Sequence, residues 1–242
     1  MVRLILLKII EVDGVDNIAS NISVIIRTKN EERWIGHCIQ SLLDNFNKPE
    51  LIIIDDNSID ETLNIAKSFE KDTNLNGKDP RYTKIIFENI KNYSPGLSLN
   101  KGVSLATKET ILIISAHCVI SKINLEKTNQ YLNEYASVYG NQIPVYNGKR
   151  INKRYVWSNF ISNSTENFYC DQEQRYFLHN AFAFYKKETL EKFPFDDKLT
   201  TKEDRYWAND IINNKKLNIF YDSEQSVYHH YTINGATWKG LA

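Results

Sequence analysis

Three places in this sequence set titratable side chains where they could do chemistry. Asp55-Asp56 follows the apolar run Leu51–Ile54 and precedes Asn57-Ser58. Adjacent carboxylates of this kind could hold a cation between them, or accept hydrogen bonds from a ligand's ring N–H or amine. Glu203-Asp204 stands in T-K-E-D-R-Y-W, where one carboxylate could take the proton of a hydroxyl as a general base. The third set is histidine: His117 in S-A-H-C, and His229-His230 in V-Y-H-H-Y. A neutral imidazole ligates metals, whereas an imidazolium neutralises phosphate.

Each place also has a structural reading. Ser58 with Glu61 three residues later matches a capping box for a following helix, and Asp55 could simply complement that helix's N-terminus. Thr201 and Asp204 match the same pattern, T-x-x-D, ahead of Arg205–Asn213. His117 could be a histidine satisfied within the fold, and Cys118 reads as a small buried residue. Three histidines would also suit zinc hydrolysis, but H-E-x-x-H and a closely spaced third ligand are absent.

Hydrophobic periodicity supplies the elements that must position these groups. Ile22–Ile26 is β-rich, and Ile35, Cys38, Ile39, Leu42, Leu43 and Phe46 then recur at helical spacing. Leu51–Ile54 with Ile59/Leu63/Ala66 repeats the pattern. Lys84–Phe87 follows, then a helix opened by Ser94-Pro95, then a strand at Ile111–Ile114. This βαβαβαβ order predicts a mostly parallel central sheet flanked by helices, whose strand carboxyl ends bind ligand. Beyond Ile114, Asn124–Tyr139 reads as a helix and Gly140–Tyr176 as a polar, aromatic, aperiodic flap. Phe177–Tyr185 reads as a strand, Thr201–Asn213 as a helix, and Leu217–Tyr221 and Val227–Tyr228 as short strands. The whole is a single α/β domain.

Thirty basic and thirty acidic residues leave a formal net charge of zero, which argues against binding a long nucleic acid. Three widely spaced cysteines, Cys38, Cys118 and Cys170, fit a reducing compartment rather than a disulfide scaffold. The apolar run Met1–Ile10 is too short to span a membrane and carries Lys8, so it predicts an added strand or a surface helix. After the first strand the chain has Arg27-Thr28-Lys29-Asn30-Glu31-Glu32 where a dinucleotide enzyme needs G-x-G-x-x-G, and it has no P-loop. A nucleotidyltransferase would want a glycine-rich loop there, and only the basic residues are present.

S-V-I-I-R-T-K-N-E-E at 23–32, I-I-D-D-N-S-I-D-E-T at 53–62 and E-D-R-Y-W-A at 203–208 together resemble inverting family 2 glycosyltransferases. Y-S-P-G-L-S-L-N-K-G at 93–102, S-A-H-C at 115–118, Y-G-N-Q-I-P at 139–144 and P-F-D-D at 194–197 are similar to a bacterial capsule or O-antigen subgroup. The resemblance covers about residues 22–231. It implies one GT-A (Rossmann-like) domain over 22–242 behind an N-terminal extension of residues 1–21. Residues 22–118 would be the nucleotide-binding half and 119–242 the acceptor-binding half, with a flexible flap near 140–176.

By that resemblance Arg27, Thr28 and Glu31 line the nucleotide pocket. Asp56, with Asp55 and Ser58 behind it, reads the base. Asn100 and Lys101 reach the sugar or diphosphate. Ser115, Ala116 and His117 occupy the place of the Asp-x-Asp that holds a divalent cation in many relatives, so dependence on Mn²⁺ or Mg²⁺ is left open. An imidazole favours Mn²⁺ over Mg²⁺ there. His117, with whichever of His229 and His230 faces inward, would be the metal ligand. Asp204 is implied as the catalytic base with Glu203 beside it, and Asn180 and Trp207 face the acceptor. Trp157, Tyr169 and Trp238 are further candidates for stacking on sugar rings.

The implied partners are a nucleotide-sugar donor and a glycan or lipid-linked glycan acceptor, which places the chain in the cytoplasm, in peripheral association with the inner face of the membrane. A non-catalytic nucleotide- or sugar-binding module is the alternative raised by the missing Asp-x-Asp.

Overall fold

A computed structural model of the chain describes residues 21–73 and 84–239. The expected N-terminal extension, including Met1–Ile10, lies outside the described residues except for Asn21. The first half alternates as its periodicity predicts: β1 (Ile22–Thr28), α1 (Ile35–Asn45), β2 (Glu50–Asp55), α2 (Thr62–Thr73), β3 (Ile85–Asn89), α3 (Pro95–Leu105) and β4 (Thr110–Ser115). In β1, Val24 and Ile26 belong to one core cluster and Ile25 to the other, and β2 divides in the same way. Both faces of these strands are therefore buried, which is why they read as continuous apolar runs. Ile35, Cys38, Ile39 and Leu42 form the buried face of α1. Ser94 caps α3 by accepting from Leu97 N at 3.1 Å, with Pro95 at the first helical position.

Then come β5 (Cys118–Lys122), α4 (Leu125–Leu132), β6 (Ser137–Tyr146), β7 (Lys149–Arg150), β8 (Thr165–Glu166), β9 (Tyr169–Cys170), β10 (Arg175–Tyr176), β11 (Phe182–Lys186), α5 (Lys187–Lys192), α6 (Glu203–Asn213) and β12 (Ile219–His230). The main sheet runs β3-β2-β1-β4-β11-β6-β12-β5, with β7 on β6 and β8 on β12. Strands β1 to β4 are mutually parallel, β11 is antiparallel to both of its neighbours, and β12 is parallel to β6. This is a single α/β domain with a mixed, mostly parallel sheet. Among the described residues no helix is long and apolar enough to cross a membrane.

Four expectations need correction. The helix expected over Asn124–Tyr139 ends at Leu132, and residues 137–146 form an interior strand rather than the start of a flap. Asn141, Gln142 and Pro144 break its apolar alternation, which is why it reads as irregular. The rest of the expected flap is tied down, since Trp157 and Phe160 are buried in the core. Asn147 and Gly148, both at positive φ, make the tight turn between β6 and β7.

The two late short strands are one, β12, whose pairing with β6 shifts register between Asp222 and Ser226. The Ser58 capping box does not form. Ser58 Oγ accepts from Asn30 N and donates to Asp55, and Asp60 instead accepts from Thr62 N at the start of α2.

Candidate active site

The carboxyl ends of β1, β2, β4 and β12 meet the segment entering β11 and the N-terminus of α6 around a cavity of about 410 Å³. Arg27, Asp56, His117, Asn180, Glu203 and Asp204 all line it. A larger depression of about 830 Å³ opens at the opposite end of β4, but its acids Glu109, Glu188 and Glu191 are exposed and it holds no histidine. The smaller cavity carries the buried titratable groups.

Helix α6 delivers the two acids. Lys202, at φ 60°, precedes it and makes no side-chain cap, so the T-x-x-D cap is absent. Asp204 faces the sheet end instead. Its Oδ2 accepts from Asn180 N at 3.0 Å, and its Oδ1 accepts from Arg205 N at 2.8 Å and Arg205 Nη1 at 3.1 Å. Glu203 Oε1 pairs with Arg27 Nη1 at 2.9 Å.

The two acids are pushed in opposite directions. Burial raises Glu203, and the adjacent Asp204 adds to that against the pull of Arg27. Burial also acts to raise Asp204, but Arg205 and the amides of Asn180 and Arg205 more than offset it and leave the carboxyl below the usual range. Glu203 therefore takes the first proton of the pair. Asn180 is fixed by Tyr185 Oη, which donates to its Oδ1.

On the other side, Asp56 lines the cavity and pairs with Lys29 Nζ at 2.7 Å. Asp55 is buried and accepts from Ser58 N and Oγ, so it shapes the turn that presents Asp56. Arg27, Thr28, Glu31 and Ser115 line the same cavity, as does Ala181, to which no role was assigned. Ala116 is buried in the core beside them.

Three expected residues are elsewhere. Asn100 exchanges both amide bonds with the Phe195 backbone, Lys101 pairs with Glu88 at the surface, and Trp207 is buried against Tyr185 and Phe195, donating to Phe193 O. None of the three lines the cavity. Trp157 is likewise core, and Tyr169 packs on Tyr176 away from the cavity lining.

The histidines form a buried chain whose proton positions one backbone amide fixes. Ala181 N–H donates to His179 Nδ1, so that nitrogen is an acceptor. Gln142 Nε2 must then be the donor to His179 Nδ1 at 3.1 Å, which leaves Gln142 Oε1 to accept from His229 Nδ1 at 2.8 Å. His229 Nε2 is thereby an acceptor, and His117 Nε2–H donates to it at 2.9 Å. The far nitrogen, His117 Nδ1, faces Glu31 Oε1 at 3.1 Å. At the other end His179 Nε2–H donates to Thr237 Oγ1 at 3.2 Å. Burial and the Arg205 guanidinium push His179 down to about 3, and burial among the other imidazoles pushes His229 well below the ordinary histidine value.

His230 points to the opposite face, stacked on Trp34 at 4.0 Å, and burial pushes it down to about 4. That alternation turns His229 inward onto His117, and neither His229 nor His230 is among the residues lining the cavity. A resident cation does not fit this donor set. Among the described residues no three His, Cys, Asp or Glu side chains are grouped to hold one, and the facing nitrogens of His117 and His229 already satisfy each other.

Gln142 and Arg205 fall within the motifs Y-G-N-Q-I-P and E-D-R-Y-W-A but were given no role there, and His179 carries no motif. The segment 231–239, which closes over the cavity, was not anticipated. Asn234 donates to Lys29 O and Asn30 O, Trp34 donates to Tyr231 O, and Trp238 donates to His230 O.

A family model described as glycosyl transferase family 2 matches residues 23–193. The GalNAc(5)-diNAcBac-PP-undecaprenol β-1,3-glucosyltransferase of Campylobacter jejuni is 26% identical over 190 residues, covering 78% of this chain and 59% of its own. TarS residues 1–349 of Staphylococcus aureus, solved with UDP-GlcNAc, superposes with a TM-score of 0.64 at 21% identity, over 89% of this chain and 60% of that one. The mannosyltransferase PcManGT of Pyrobaculum calidifontis, solved with GDP-Man and Mn²⁺, gives 0.64 at 17% identity, over 90% and 59%. The chain thus spans about three fifths of the Campylobacter and Pyrobaculum proteins and of the TarS 1–349 fragment, and the two solved structures share its GT-A fold.

Proposed function

The chain belongs to glycosyl transferase family 2, and we propose that it moves one sugar from a nucleotide-sugar donor to a hydroxyl of a bacterial surface glycan, with inversion at the anomeric carbon. The observation that carries this reading is the Asp204 carboxylate, held at the cavity wall by three N–H donors. A carboxylate offers about four lone-pair sites, so roughly one is left for an incoming hydroxyl. In a single displacement the acceptor oxygen bonds to the anomeric carbon while the bond from that carbon to the diphosphate breaks from the opposite face. The leaving nucleotide diphosphate takes the bonding pair, and the hydroxyl proton passes to Asp204. General-base help of this kind supplies about 10²–10⁴ in rate.

Asp56, presented by the Asp55–Ser58 turn, reads the base, and Arg27, Thr28 and Glu31 wall the nucleotide. Arg27, Lys29, Lys202 and Lys239 lie around the cavity for the diphosphate. A divalent cation, as in the Mn²⁺-bound mannosyltransferase structure, would have to find its ligands outside the donor set described above. Glu203 holds Arg27 and stands beside the base. The Campylobacter relative, named for an undecaprenol-linked substrate, supports a lipid-linked glycan acceptor and work at the inner membrane face.

The test is Asp204→Asn. Transfer or donor hydrolysis is expected to fall at least a hundredfold with nucleotide binding kept. Full activity in that variant removes Asp204 as the base, and binding without turnover in the unaltered chain favours a non-catalytic module.

A further inference from the structure

Arg205 is the largest fully buried side chain among the described residues, at 1% exposure, and the motif E-D-R-Y-W-A that contains it assigns it no role. A guanidinium taken out of water must be paid in contacts, so what holds it matters. Its Nη1 donates to Asp204 Oδ1 at 3.1 Å. Its Nε lies 3.1 Å from Glu173 Oε2, on the turn between β9 and β10. Its plane sits over the Phe177 ring at 4.9 Å. The planar fork is therefore held by an ion pair with Glu173, without an aligned hydrogen bond at Nε, and by stacking on Phe177.

We infer that Arg205, anchored by Glu173 and Phe177, is the positioning residue that fixes the Asp204 carboxylate for transfer. Glu173 acts through Arg205 and touches neither Asp204 nor substrate. Its Oε2 also lies 3.5 Å from Lys202 Nζ, so the β9–β10 turn clamps both residues that flank the acid pair. The inference rests on Asp204 being the base.

The groups facing Asp204 are few. Glu203 from α6 and the ring of Tyr185 from β11 oppose its charge or leave it unaided, while Arg205 from α6 and the backbone amide of Asn180 favour it. His179, before β11, is held down at about 3 and, after Arg205, adds to the lowering of Asp204 as it charges, while Arg27 of β1 is engaged by Glu203. Arg205 is thus the main cationic partner of the carboxylate. The depression of Asp204 against its own burial agrees with that.

The test needs no known substrate. In the full chain, carbon-detected NMR titration follows the aspartate carboxyls, with Asp204→Asn identifying the Asp204 signal. In the unaltered protein that signal should titrate below the ordinary aspartate value. In Arg205→Met its midpoint should rise by about one unit or more, a tenfold change in ionisation. Arg205→Lys should restore part of the shift and Glu173→Gln should move it less, in the same direction. The acid limb of the turnover profile with UDP-GlcNAc, or whichever nucleotide sugar is turned over, should follow, with kcat falling more than KM changes.

An Asp204 midpoint that does not move in a folded Arg205→Met overturns the inference. Should that variant fail to fold, an unmoved midpoint in both Arg205→Lys and Glu173→Gln overturns it equally. A moved midpoint together with full turnover in Asp204→Asn would refute the base and leave the positioning contact standing, so the two failures are distinguishable.

Discussion

Gln142 is the hinge of the proton arrangement, and replacing it tests the whole chain of reasoning. Its side chain is fully buried and bonds His229 Nδ1 and His179 Nδ1. Gln142→Leu keeps the volume but removes both polar contacts. His179 Nδ1 keeps its bond from Ala181 N, so it stays satisfied. His229 Nδ1–H does not, and a buried donor left unpaired costs about 1–3 kcal/mol.

At 2–4 °C per kcal/mol for a chain of this size, the Tm should fall by roughly 2–12 °C. Long-range proton–nitrogen NMR of the imidazoles reads the arrangement directly. In the unaltered protein His179 should carry its proton on Nε2 and His229 on Nδ1. In the variant His179 should be unchanged, while the His229 signals shift and the bond to His117 loosens. A His179 protonated on Nδ1, or a Tm change under about 0.5 °C, would refute the assignment of every proton in the chain.

Cation binding gives a second check. Because the facing imidazole nitrogens are already paired, Mn²⁺ or Mg²⁺ alone should leave the melting temperature unchanged, and a rise of several degrees without nucleotide would show a site that the donor set does not provide. A third concerns stability. Glu50 is buried at the start of β2 and accepts from Ser23 Oγ, Lys84 Nζ, Thr107 N and Thr107 Oγ1. Its burial acts to raise the carboxyl, and those donors bring it below its ordinary value. The stability it gives is therefore full above the unfolded value near 4.3 and is lost as pH falls through the lower folded value. Glu50→Gln should cost about 2 kcal/mol at pH 7 by denaturant unfolding, with the gap closing below pH 4. A gap that persists unchanged at pH 3 would contradict the linkage.

What the sequence reveals and what it conceals follow from the range of the interactions. Strands β1, β2 and β4 announce themselves because both faces are apolar, and α1 because Ile35, Cys38, Ile39 and Leu42 repeat within one local window. Asp56 and Asp204 could be found because their motifs sit at element boundaries that the period already locates.

The buried polar chain has no such local signature. Its bonds join residues 86, 112, 87, 37 and 58 positions apart. Each side chain alone looks like an ordinary polar residue, and Gln142 even argued against the strand that carries it. Asn100 and Trp207 show the converse. Their positions match a family pattern, yet the amide of Asn100 is used by the Phe195 backbone and the indole N–H of Trp207 by Phe193 O, neither visible from the motif. A motif places a backbone at a strand end, and the long-range hydrogen bonds then decide which side chains remain free to meet a ligand. By that criterion Asp204, with about one lone pair left, and Asp56, with its Lys29 partner exposed, stay available, while His117 and His229 satisfy each other.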